Sequence, residues 1–329
     1  MTQKNYSLEE LNLESTLGGE GLETSRRQIP VIDMSDFENR KQEIADQLWA
    51  AASVTGFFQL GNHGISVEAI DEIFTVSKQF FELPEAVKAA CPLKGGGKNA
   101  GWESKAQVRP STKKADQKES YQITRPNMDG VWPTEAEFPG FREKVLSYEA
   151  QCWQLGMKVL SCFALKMGFD EDFFTELHNP KSDEYQSTLR LLHYYPFDLA
   201  ELEPGEWRAG AHTDFDCLTL LFQKDGQEGL QVCPGNEANS GEWTSVAAKT
   251  GLVTCNIGDM LMRWSDDELK STLHRVRFPS GTGRVDSRYS VAFFCQANRS
   301  AMIQGPKKRY PAISAEDYLK QRIAANFSY

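Results

Sequence analysis

No stretch of this 329-residue chain approaches the roughly 18 consecutive apolar residues that a transmembrane helix needs, so no membrane span is expected. Positive charge is in short supply: 36 Lys and Arg stand against 46 Asp and Glu, a net −10 at pH 7. Such a surface repels nucleic-acid phosphates and anionic lipid, which argues against both as partners. A small-molecule substrate is expected instead, with no obligate protein partner in view. The segment Met1 to Arg27 has no basic-then-apolar stretch of the kind that marks a secretory signal, and carries Glu9, Glu10, Glu14 and Glu20. The seven cysteines (Cys91, Cys152, Cys162, Cys217, Cys233, Cys255, Cys295) are odd in number and contain no C-x-x-C pair, so reduced thiols in a cytoplasmic protein are the expectation. Only five histidines occur, which makes each of them informative.

What is present is 40% hydrophobic residue, enough for a sizeable core. Residues 1–28 read as a flexible arm, punctuated by Gly18, Gly19 and Gly21. Residues 29–135 read as an α/β region. Within it Ile44, Leu48, Ala51 and Ala52 mark a helix over Lys41 to Thr55, Gly56 to Leu60 a short buried strand, and Val67 to Leu83 a second helix. Lys94-Gly95-Gly96-Gly97-Lys98 lacks the ending of a phosphate loop and reads as a mobile loop. Residues 136–329 read as a long helix, a β-rich core and a last helix, in one compact unit with what precedes it. A long helix comes first, with Phe141, Val145, Tyr148, Cys152, Leu155, Val159 and Phe163 three or four apart. Short apolar runs follow at Leu189–Tyr195, Leu218–Phe222, Leu230–Cys233, Leu252–Ile257, Met260–Trp264 and Tyr289–Cys295, the pattern of a sandwich or barrel. A last helix starts at Ser314, with Asp317 as its capping partner.

The chemistry concentrates in three places. His212-Thr213-Asp214 sets two candidate ligands two apart, so that on an extended strand both face one cavity. His274, in Ser271-Thr272-Leu273-His274-Arg275-Val276, is the best third ligand, with His63, His178 and His193 as rivals. Two imidazoles and a carboxylate on one face of an iron(II) ion leave its other positions open for a chelating cosubstrate and O2. Arg288 and Ser290, again two apart, form a cationic fork with a hydroxyl beside it, suited to a carboxylate. Arg284 is a weaker rival for that fork. The same ligand set also admits a zinc hydrolase, which would leave the fork unused.

Taken together, these residues resemble the isopenicillin N synthase-like family of Fe(II)/2-oxoglutarate-dependent oxygenases. The resemblance runs from Ile29-Pro30-Val31-Ile32-Asp33 through Asn62-His63-Gly64 and Lys118-Glu119-Ser120-Tyr121 to Asn256-Ile257-Gly258-Asp259 and Arg288-Tyr289-Ser290. It implies a mainly β fold with flanking helices around a double-stranded β-helix, or jelly roll. It also implies His212, Asp214 and His274 as catalytic iron ligands, Arg288 and Ser290 as the clamp for 2-oxoglutarate, and Tyr195 as an aid to that clamp. The implied reaction couples decarboxylation of 2-oxoglutarate to succinate with oxidation of a substrate C–H bond by O2, giving hydroxylation or a rearrangement that follows it. The closest likeness is to a fungal branch with thymine 7-hydroxylase-like and polyketide-pathway oxygenases, which points to secondary metabolism or to a pyrimidine hydroxylase. An oxidase of the same fold that dispenses with 2-oxoglutarate is the other reading.

The doubled Tyr194-Tyr195 leaves the register open: if Tyr194 is inward, Arg190 and Leu192 share its face, and if Tyr195 is, His193 does. Arg190, Tyr194 and Phe293 are the candidate substrate contacts, although Phe293 and Trp264 suit a core better, and barrel positions near a metal can serve both. His63 reads as part of a fold-forming turn.

Overall fold

A computed structural model describes residues 21–24, 27–106, 114–203, 206–235 and 240–327. Two sheets dominate. The larger has eight strands in the order Val31–Asp33, Phe57–Gly61, Val253–Ile257, Leu218–Phe222, Arg288–Cys295, Thr188–Tyr194, Lys118–Ile123 and Gly101–Ser104. The smaller has five, in the order Leu22–Glu23, Glu242–Ser245, Leu230–Val232, His274–Val276 and Ala209–His212. Strands that are distant in sequence pair within each sheet, as a jelly roll requires. Strands from before residue 135 extend the larger sheet directly, through the antiparallel pairing of Lys118–Ile123 with Thr188–Tyr194.

The period-2 alternation of the central strands decides which side chains meet the site. In Thr188–Tyr194, Leu189 and Leu191 are fully buried in the main core, whereas Leu192 and Tyr194 belong to a second cluster between the sheets with Phe57, Ala209, Leu230, Val276 and Ala292. The helix Phe141–Met167 covers the outer face. Gly156 lets it lie close: a Cβ there would stand 2.5 Å from Cys295 Sγ. A glycine inside a helix costs about 1 kcal/mol, and a larger residue here would force the helix away from the sheet.

Most expected elements form with shifted ends: helices at Phe37–Val54, Val67–Phe81 and Phe141–Met167, and a final helix at Ala315–Phe327 in which Asp317 N donates to Ser314 Oγ at 3.1 Å. Met260–Trp264 differs. It is not a strand but lies in the short helix Asp259–Trp264, in which all but Met262 are buried. A run enclosed on nearly every side shows no polar face, so periodicity cannot separate helix from strand there. Leu22–Glu23, at the end of the segment read as an arm, runs parallel to Glu242–Trp243, while residues 1–20 lie outside the described residues. Gly21 makes this approach possible: its φ is +58°, and a Cβ would sit 2.6 Å from Gly241 O. Among the described residues no helix is long and apolar enough to cross a membrane, and all seven cysteines are buried and free of disulfides.

Candidate metal and cosubstrate site

His212 closes the strand Ala209–His212 and His274 opens the strand His274–Val276; the two lie directly opposite each other in the smaller sheet. Asp214 follows two residues after His212, where its carbonyl accepts from Asp259 N at 2.8 Å. The candidate ligand atoms of the three residues all lie within 4.8 Å of one another. His212 Nε2 is 3.9 Å from Asp214 Oδ1 and His274 Nε2 is 3.7 Å from Asp214 Oδ2, too long for hydrogen bonds. A cation with bonds of about 2.0–2.2 Å to each atom fits that spacing.

The surroundings orient each candidate ligand. His212 Nδ1 faces the Gly210 carbonyl at 2.7 Å and His274 Nδ1 the Thr272 carbonyl at 3.2 Å, so each Nδ1–H donates to backbone and each Nε2 is turned to the centre. Phe57 meets the His274 ring edge-on at 5.5 Å. Asp214 Oδ2 accepts from Thr219 Oγ1 at 2.6 Å and Asn256 Nδ2 at 2.8 Å, two residues opposite each other on adjacent strands of the larger sheet. Beside them, burial and the neighbouring Asp214 charge push the Asp216 carboxyl well up. The Thr213 hydroxyl donates to Asp259 Oδ2 at 3.0 Å, and Asp259 pairs with Arg322 of the C-terminal helix at 2.5 Å, both side chains fully buried.

The other histidines serve elsewhere. His63 Nδ1 accepts from Ile65 N and its Nε2 donates to the Gly251 carbonyl, which fastens a turn in which Asn62 has φ 51°. His178 is held by the Phe174 carbonyl. His193 lies between Glu119 and Ser287, stacked on Tyr289 at 4.7 Å.

Arg288 is 1% exposed and Ser290 fully buried, on the face of their strand that looks between the sheets. Arg288 Nε donates to the Gln227 carbonyl at 2.8 Å, and Nη1 lies 3.5 Å from Ser290 Oγ. Nη2 is buried with no partner. A buried, unpartnered guanidinium N–H is costly unless an anion meets it, and a carboxylate fits. Arg284, by contrast, is exposed in a small ribbon with Phe197–Asp198 and takes no part.

Two sequence expectations need correction. The tyrosine beside Arg288 is Tyr194, not Tyr195: the Arg288 guanidinium carbon lies 4.7 Å from the Tyr194 ring, and the two residues pair across adjacent strands. Tyr195 lies just past the strand end, with its hydroxyl bonded to Ser104 at 2.8 Å. Phe293 is fully buried in the main core rather than in the pocket, and its neighbour Phe294 lines the pocket instead.

That pocket, about 430 Å³, joins the triad to a polar wall. Arg190 Nη2 donates to Gln122 Oε1 at 2.8 Å, Gln122 Nε2 donates to Glu103 Oε1 at 3.0 Å, and the Arg190 guanidinium lies 4.8 Å from the Phe294 ring. Leu319 and Ile323 of the C-terminal helix line it too. Among the residues not singled out from sequence, Thr219 and Asn256 lie in motifs that were legible, whereas Arg322 lies in none.

Comparison with known proteins places this geometry. Residues 186–297 match the 2OG-Fe(II) oxygenase superfamily, and residues 29–137 match the non-haem dioxygenase in morphine synthesis N-terminal family. A proline hydroxylase of Petromyces alliaceus is 34% identical over 84% of this chain and 90% of its own length. A 2-oxoglutarate-Fe(II) type oxidoreductase, hxnY, of Emericella nidulans is 31% identical over 88% of each chain. The full-length thymine 7-hydroxylase of Neurospora crassa, solved with alpha-KG and thymine, superposes with a TM-score of 0.81 at 30% identity, over 94% of this chain and 100% of that one. With relatives this alike along nearly its whole length, the chain belongs to the 2-oxoglutarate–Fe(II) oxygenase superfamily and has its double-stranded β-helix core.

Proposed function

We propose that this enzyme oxidises a C–H bond of a small polar molecule, with His212, Asp214 and His274 holding iron(II) and Arg288 and Ser290 holding 2-oxoglutarate. The convergence of the three ligand atoms within 4.8 Å carries this reading. When bound, iron(II), 2-oxoglutarate and O2 supply the oxidising power, and the 2-oxo acid leaves as succinate and CO2. The protein's own part is positional. Three ligands on one side leave the other side facing the pocket. Arg288 and Ser290 grip the distal carboxylate, and Tyr194 with the apolar residues around it keeps water from that grip. Arg190, held by Gln122, presents a fixed cation to the substrate. Tyr194 belongs to the cosubstrate end on this reading, and Phe294 takes the substrate role first considered for Phe293.

A pyrimidine substrate is a second reading, favoured by the thymine-bound Neurospora crassa structure and by the donors and acceptors of Gln122, Gln186 and Arg190 in the pocket wall. Fungal relatives that include a proline hydroxylase support a place in secondary metabolism, and the buried free cysteines accord with a cytoplasmic setting. Residues 29–327 act as one catalytic unit on this account, since strands from both halves share the larger sheet.

The direct test supplies aerobic, iron(II)-loaded protein with 2-oxoglutarate and a metabolite extract, and follows succinate and products heavier by one oxygen. Substrate-dependent succinate is expected; oxygen uptake that needs no 2-oxoglutarate would favour the oxidase instead. Arg288→Met should raise the KM for 2-oxoglutarate at least tenfold, since a hydrogen bond to a charged group contributes about 1.5–3 kcal/mol.

A further inference from the structure

Arg208 immediately precedes the strand Ala209–His212 and is only 5% exposed. Its Nη2 donates to the Asp286 carbonyl at 3.2 Å, two residues before Arg288, so a side chain from the smaller sheet reaches the base of the strand that carries the clamp. The charge of Arg288 opposes that of Arg208, while Arg288 lies 4.7 Å from the Tyr194 ring, hydrogen-bonds that side chain and feels the Glu228 carboxylate at longer range. Each arginine also keeps one buried N–H without a partner: Nε of Arg208 and Nη2 of Arg288. Two desolvated like charges, each with a buried donor that no group meets, suit an acceptor anion between them.

We propose that Arg208 is a second cationic binding residue for the distal carboxylate of the dicarboxylate cosubstrate, acting opposite Arg288. The proposal rests on the cosubstrate reading above and adds a group to it. A carboxylate has two oxygens and about four acceptor positions, so it can take one donor from Arg288 and another from Arg208 at once. Arg288 alone would favour any 2-oxo acid with an acceptor at its far end. Two opposed cations discriminate more sharply for a full negative charge there, because a neutral end would leave both charges buried and uncompensated.

The test is calorimetric, on iron(II)-loaded protein without oxygen, so that binding is read without turnover. Two ligands are titrated: 2-oxoglutarate, and 2-oxopentanoate, which lacks the distal carboxylate. In Arg208→Met, with a side chain of similar length that still packs on Phe278, the Kd for 2-oxoglutarate should rise at least tenfold and that for 2-oxopentanoate less than twofold. Arg208→Lys, which keeps the charge but loses the fork, should weaken 2-oxoglutarate alone, by roughly threefold. It also decides the matter if the Met variant does not fold. Equal weakening of both ligands, or of neither, overturns the role assigned to Arg208. Wild-type protein that does not distinguish the two ligands would instead overturn the cosubstrate reading itself.

Discussion

Asp214→Ala protein should bind iron(II) more than 100-fold more weakly than the wild type and release no succinate above background, while keeping its fold. The magnitude follows from what surrounds the ligand. Groups that only orient a ligand, as Thr219 and Asn256 would orient the proposed ligand Asp214 by their hydrogen bonds, typically contribute 10–100-fold to metal affinity. Removing the ligand removes the bond as well as its orientation, and leaves two neutral imidazoles to hold a hard divalent cation. Little stability should be lost, because Asp214 stands outside the strands and its burial is partial. The measurement is a competitive metal titration with circular dichroism on the same samples. Near-normal iron affinity in Asp214→Ala would remove the carboxylate from the proposed ligand set.

Arg322→Met should destabilise the protein by about 3–5 kcal/mol, the usual result of removing one partner from a buried ion pair. Arg322 and Asp259 are both fully buried and 2.5 Å apart, and Arg322 also reaches Thr213 Oγ1 at 3.3 Å, between the two proposed ligands of the His212-Thr213-Asp214 triplet. Without Arg322 the Asp259 carboxylate is buried beside Asp214 with the Thr213 hydroxyl still donating to it but no counter-charge. The C-terminal helix, which brings Leu319 and Ile323 to the pocket, loses its polar anchor at the same time. Chemical denaturation of the metal-free protein gives the energy directly. The double variant Arg322→Met with Asp259→Leu should recover part of the loss, since no lone charge remains. A loss below about 1 kcal/mol in the single variant would show that solvent reaches the pair.

How far this site could be read from the sequence depended on distance along the chain. Arg288 with Ser290 obeys the two-residue spacing of one strand face, and His212 with Asp214 keeps that spacing just past a strand end, a rule that needs no knowledge of the fold. The same alternation, carried on from Arg288 and Ser290 to Ala292, places Phe294 in the pocket and Phe293 in the core. Tyr194 and Tyr195 could not be separated that way: both are tyrosines, and a strand read one residue out of register exchanges its faces. Cross-strand partners such as Thr219 and Asn256 became visible only when pairing put them side by side. Arg322 gave no signal, because an arginine on a helix ordinarily lies at the surface and its partner Asp259 is set by tertiary packing.

The most direct measurement is an anaerobic crystal structure with iron(II) and 2-oxoglutarate. One metal peak should lie about 2.0–2.2 Å from His212 Nε2, His274 Nε2 and an oxygen of Asp214, with the distal carboxylate of the cosubstrate against Arg288. A metal bound elsewhere, or a cosubstrate whose distal carboxylate points away from Arg288, would contradict the account.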